Sequence, residues 1–82
     1  SFKESQRRFI DLSLELKKDG KGFAVIQKPF AVKEETTNRT IERYCEAVDE
    51  VVKEYENESG KLERIVVVDH FTTDKSGRVQ KQ

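Results

Sequence analysis

The chain has one cysteine, one histidine and one proline, and it has neither methionine nor tryptophan. Each shortage excludes something. A lone Cys45 closes no intramolecular disulfide, whereas a small secreted domain of this size is ordinarily stapled by several, so an intracellular, cytoplasmic setting is expected. The sequons Asn38-Arg39-Thr40 and Asn57-Glu58-Ser59 would carry glycans only in a secretory compartment. One His and one Cys do not make a zinc site, and no loop alternates Asp or Asn ligands towards a closing Glu, so no metal and no cofactor is expected. No apolar run approaches the about 20 residues that span a bilayer, no charged-then-apolar leader is visible, and no membrane partner is expected.

What the chain has instead is charge. Of its 82 residues 39% are charged and 34% hydrophobic, yet the net charge is zero. Disorder goes with low hydrophobicity and high net charge together, so the balance predicts one small folded domain over 1–82, with 1–8 and 80–82 as frayed ends. The zero hides a sorted pattern. Residues 1–33 carry eight Lys or Arg and four Asp or Glu; residues 34–63 carry four and ten; residues 64–82 carry four and two. The block boundaries coincide with changes in hydrophobic period.

Ser1 to Arg8 is polar apart from Phe2 and reads as a frayed end or a short helical turn. Ile10, Leu12, Leu14 and Leu16 alternate with polar residues, the period of a half-buried strand. On a helix these four would spread around the cylinder, so the strand is preferred. Asp19-Gly20 supplies a tight hairpin turn, and Phe23 to Ile26 forms the returning strand, with Leu16 facing Phe23 and Leu14 facing Val25. Pro29 makes that strand an edge or bulges it, and Phe30 and Val32 resume it. Thr36, Thr37 or Asn38 then caps a helix. Ile41, Tyr44, Cys45, Val48, Val51, Val52 and Tyr55 stand at offsets 0, 3, 4, 7, 10, 11 and 14, an unbroken apolar stripe closed by Gly60. Ile65-Val66-Val67-Val68 is continuously β-branched and reads as a strand covered on both faces. A partner subunit is one candidate for the second cover, which makes a homodimer an expectation. Asp74 to Gly77 is a turn, and Arg78 to Gln82 pairs as a last short strand or trails into solvent.

The expected fold is therefore α+β: a small two-layer domain of ββαββ type, with one amphipathic helix packed on one face of the sheet. The order hairpin, helix, strand is similar to that of the β-grasp (ubiquitin-like) fold. The resemblance rests on no motif, and the chain ends Val79-Gln80-Lys81-Gln82 without a Gly-Gly tail.

Candidate chemistry is sparse. His70 follows Asp69, but neighbours on a strand point to opposite faces, so the two form no dyad. Cys45 lies in the helix stripe among Glu42, Glu46 and Asp49, which disfavour a thiolate, and reads as core. Gly20-Lys21-Gly22 lacks the spacing of a phosphate loop. No catalytic constellation is present, and an enzyme is not expected. Glu42, Glu46, Asp49 and Glu50 form an acidic outer helix face, the expected protein-binding surface. Arg7, Arg8, Lys17, Lys18, Lys21, Lys28 and Arg64, with aromatic Phe9 and Phe71, would form a basic sheet face or hairpin. The expected function is a small non-enzymatic interaction or regulatory module, a phage or accessory protein being one kind that fits, which selects a protein partner through complementary charge. The alternative is nucleic-acid binding by the basic groups, against which stands the zero net charge.

Overall fold

The computed structural model describes residues 1–17, 21–73 and 79–80, with side chains as far as Phe71. Its elements run α1 (Phe2–Leu14), β1 (Ala24–Lys28), α2 (Glu35–Lys53), a 3-10 turn (Leu62–Arg64), β2 (Ile65–Asp69), β3 (Thr72–Thr73) and β4 (Val79–Gln80). The chain is thus α+β, as composition and period indicate, but the arrangement differs from a ββαββ or β-grasp order. β1 and β2 pair in parallel, Ala24 against Ile65 through Lys28 against Asp69, with α2 as the crossover between them. β3 and β4 form a separate antiparallel pair, so the last short strand is present.

The first correction concerns 10–17: a helix takes 10–14 in place of the expected strand, and 15–17 lie beyond its end. Ser1 is its N-cap, and its hydroxyl accepts from the Glu4 N–H at 3.3 Å. Ser1-Phe2-Lys3-Glu4 has the spacing of a capping box, a start signal that the alternation at 10–16 outshone. Leu, Lys, Arg, Glu and Gln are good helix formers, and Ile10 is the one β-branched residue in α1. The helix resolves the alternation by splitting it. Ile10 and Leu14, one turn apart, go into the core, while Leu12 and Leu16 go to solvent.

With no first strand the expected N-terminal hairpin does not form. Leu16 and Phe23 are both exposed, and Leu14 and Val25 lie respectively in the core and on the outside. The expected turn residues Lys18 to Gly20 lie outside the described residues, as does the Asp74–Gly77 turn. Gly22 closes the α1–β1 connection, its N–H donating to the Leu14 carbonyl at 2.9 Å. A Cβ at Gly22 would run into the Ser13 carbonyl oxygen, so the close approach of the two backbone segments requires glycine.

β1 ends at Lys28, immediately before Pro29, and has one strand neighbour, so the edge reading of Pro29 agrees with the sheet. Phe30 and Val32 do not resume it. Instead Asn38, buried in the first turns of α2, clamps the Val32 backbone: its Oδ1 accepts from the Val32 N–H at 2.8 Å and its Nδ2 donates to the Val32 carbonyl at 2.7 Å. Asn38 is therefore no cap. The N-cap is Glu34, whose carbonyl accepts from the Asn38 N–H, and Thr37 Oγ1 bonds the Glu34 carboxylate.

The α2 stripe is as the spacing predicts. Cys45, Val48, Val51 and Tyr55 are buried, with Ile41, Tyr44 and Val52 half-buried beside them. α2 ends at Lys53, further turns follow, and Gly60 takes a positive φ of 81° before the 3-10 turn. The principal core joins Ile10 and Leu14 of α1, Ala24 and Ile26 of β1, and Val48, Val51 and Tyr55 of the second helix and its extension. A second cluster, Ala31, Cys45 and Phe71, lies at the far end. The helices cover one sheet face only. Val66 is 40% exposed, so among the described residues β2 is not covered on both sides.

Candidate interaction surface

The sorted charges meet each other. Lys3 and Arg7, one turn apart on α1, pair with Glu50 and Glu54, one turn apart on α2. The constant offset of 47 residues means that the helices run side by side in the same direction. Arg7 is bidentate, Nε to Glu54 Oε1 at 2.7 Å and Nη2 to Oε2 at 2.8 Å. The hydrogen bond from Arg7, followed by its charge, holds the Glu54 carboxyl below its ordinary value. These pairs are exposed and are screened by salt, so they orient the helices more than they stabilise them.

Below this ladder Tyr55 lies buried and donates its hydroxyl to Asp11 Oδ1 at 2.6 Å. Burial first, and then the hydrogen bond and charge of Asp11, push the phenol above its ordinary value. A cleft of about 630 Å³ opens here between α1 and the end of α2. Most of its charged groups are engaged: Arg7 with Glu54, Lys61 with Glu58 at 3.0 Å, and Asp11 with the Tyr55 hydroxyl, while Glu15 also lines it. Arg64 spends its guanidinium on main chain, donating from Nε to the Gly60 carbonyl at 3.0 Å and from Nη1 to the Leu14 and Gly22 carbonyls at 3.2 Å each. The cleft thereby ties the end of α1, the approach to β1 and the start of β2 together.

Lys28 forms the opposite pole. Its side chain is 10% exposed and reaches Asp49 at 2.8 Å and Asp69 at 3.8 Å. Burial pushes its ammonium down, but the hydrogen bond to Asp49 and the charges of Asp49 and Asp69 outweigh burial, and the net shift is upward. Cys45 is buried nearby; burial raises its thiol most, the Lys28 charge opposes this, and Asp69, Asp49 and Glu42 add to it. Such a thiol is an apolar core group, as its place in the stripe predicts. Asp69 accepts from the Phe71 N–H at 2.9 Å, while His70 stacks on Phe30 at 4.4 Å and meets Gln27 Oε1 at 3.3 Å, so the two neighbours do serve opposite sides.

Of the acidic candidates, Asp49 is thus held by Lys28 and Glu50 by Lys3. Glu42 and Glu46 remain on the exposed face of α2, lining a shallow depression with Arg39 and Arg43. Of the basic candidates, Arg7 and Arg64 line the cleft and Lys28 lies at the opposite pole. Arg8, Lys17 and Lys21 are exposed, and Lys18 lies outside the described residues. Phe71 is buried, so it joins no basic face, whereas Phe9 is exposed.

The feature that sequence reading missed is apolar. Phe2, Phe9 and Leu16 recur at seven residues, with Leu12 between, and all are exposed, although Phe2 leans on the Tyr44 ring at 5.1 Å. Together with Phe23 and Val25 they make the outside of α1 and β1 more apolar than the outside of α2. The seven-residue spacing of Phe2 and Phe9 was visible in the sequence, and the capping box would have licensed reading it on a helix; Leu16 lies past the end of α1. Among the described residues no group of three or more His, Cys, Asp or Glu is placed to hold a metal, and no helix is long and apolar enough to cross a membrane. Comparison with protein-family models, curated proteins and solved structures finds no match to this chain.

Proposed function

We propose that this chain is a small non-enzymatic protein-interaction module, with a regulatory or accessory role, acting in a reducing cytoplasmic compartment that suits its single buried thiol. One observation carries the reading. The opposite charges are consumed within the molecule, Lys3 and Arg7 against Glu50 and Glu54 and Lys28 against Asp49 and Asp69, while large apolar side chains stay outside. Large apolar groups left exposed mark contact surfaces, and partners meet them by burial rather than by long-range attraction. The charge-guided form of the reading contracts to Glu42 and Glu46, which would tune partner choice at the rim.

The test is affinity capture from the native host followed by mass spectrometry, with nuclease, at low and high salt. A protein partner retained through nuclease and high salt is expected; capture that disappears with nuclease would overturn the reading. Nucleic-acid binding is the second reading, supported by Arg8, Lys17 and Lys21, which are exposed, as are Phe9 and Phe23. It requires anisotropy changes of labelled single-stranded oligonucleotides that fall with salt and are lost in Arg8→Glu/Lys17→Glu.

A further inference from the structure

Among the described residues the parallel sheet has two strands and one open face, an incomplete object. Parallel sheets are ordinarily buried on both faces, and three or more strands are the usual stable unit. The register shows which backbone groups are left over. The Lys28 carbonyl accepts from the His70 N–H at 3.2 Å, so Lys28, Ile26 and Ala24 turn their main-chain groups towards β2. Val25 and Gln27, of the other parity, turn theirs to the free edge. There a groove of about 250 Å³ is lined by Gln6 and Phe9 of α1, Val25, Ile26 and Gln27 of β1, and Tyr44 of α2. The lining joins the exposed side of β1 to the helix layer and includes no residue of β2, so the groove follows the free edge with α1 beneath it.

The geometry points to β1 as a strand-addition site that receives an extended segment of a partner protein. The inference rests on the interaction reading and names the partner's form. Only extended main chain can satisfy the N–H and C=O pairs of Val25 and Gln27 together. Alternate side chains of the added strand would drop onto Phe9, 48% exposed, and flank Val25, 51% exposed. The groove lining is uncharged in a chain that is 39% charged, so the segment that complements it carries no charge along the paired stretch. A second copy pairing β1 to β1 does not fit. Strands pair about 4.8 Å apart, whereas packed helices need about 8–10 Å, and α1 under the edge would meet its own copy inside that distance.

The test is selection of a phage-displayed library of random linear peptides of about seven residues, an ordinary strand length, on the intact chain. Enriched peptides are expected to be uncharged with apolar residues at alternate positions. A selected synthetic peptide should shift the Val25 and Gln27 amide resonances and slow their hydrogen exchange. Val25→Pro removes an N–H aimed at the free edge and none of the β1–β2 bonds, so the spectrum of the free protein should remain folded while affinity falls at least tenfold. Phe9→Glu, at an exposed position, should do the same and serves if the proline disturbs β1. No enrichment, or enriched peptides indifferent to both variants, would overturn strand addition. Protection of the two amides that rises with protein concentration and needs no peptide would also overturn it, assigning the edge to a second copy. Should host capture persist in both variants, strand addition fails while the interaction reading stands; loss of protein capture altogether removes the interaction reading itself.

Discussion

Gly22 and Arg64 show how single residues hold this chain in its arrangement. Gly22 touches the end of α1 through both its missing Cβ and its N–H, and Arg64 closes the same junction from the other side. Gly22→Ala should cost about 1–3 kcal/mol, read as a lower urea midpoint, because the Ser13 carbonyl must move to admit a methyl group. Tyr55 makes a second prediction at this scale. Its folded pKa is raised, so its contribution is fully present below the ordinary phenol value of about 10 and is lost as pH climbs beyond it. The tyrosinate absorbance of Tyr55, isolated by comparison with Tyr55→Phe, should appear late, together with unfolding. Appearance at the ordinary phenol value in a still-folded protein would show that the Asp11 bond is absent in solution.

The elements divide into one that reads directly from sequence and others that do not. The α2 stripe is unambiguous because seven apolar residues repeat with one period, and the core uses them in that register. Val48→Asp should therefore unfold the domain, with loss of the far-ultraviolet helix signal, since it sets an unpaired charge at a fully buried position in a small core. Glu46→Lys, on the exposed face, should change stability by less than about 0.5 kcal/mol. α1 was harder because residues 10–16 satisfy the strand period over a short window, while the helix that ends at Leu14 carries two apolar faces. Ile10 and Leu14 pack inward, and Phe9 and Leu12 face out. A rule that assumes one apolar face per element cannot place such a segment. The parallel pairing of β1 with β2 was equally out of reach, because it depends on contacts some 41 residues apart that no local signal encodes.

Across the whole molecule, charge sorting acts as an internal fastener. Glu54 has a lowered folded pKa, so its pairing with Arg7 contributes above the ordinary glutamate value of about 4 and is lost as pH falls through and below it. Lys28 is asymmetric: its ammonium is buried, while Asp49 and Asp69 remain largely in water. Lys28→Met should consequently be tolerated better than Asp49→Asn/Asp69→Asn, which strands a buried cation and should cost about 1–3 kcal/mol more. Chemical denaturation of both variants measures the difference, and the reverse order would mean that Lys28 reaches water without its partners.

By itself the sequence determined the existence and register of α2, the β-strand character of 24–26 and 65–68, the core role of Cys45 and the blocks of opposite charge. Those features are local, set by period, propensity and composition over a few turns. Tertiary structure decided that 10–14 is helical, that β1 lies parallel to β2, and that basic α1 lies against acidic α2. It also decided which of the candidate residues are tied to distant parts of the chain: Arg7, Lys28, Asp49 and Glu50 enter ion pairs, and Arg64 bonds main-chain carbonyls. The reason is physical. A charge or an apolar side chain has no fixed meaning until the chain brings its neighbour, and here those neighbours lie some 20 to 50 residues away.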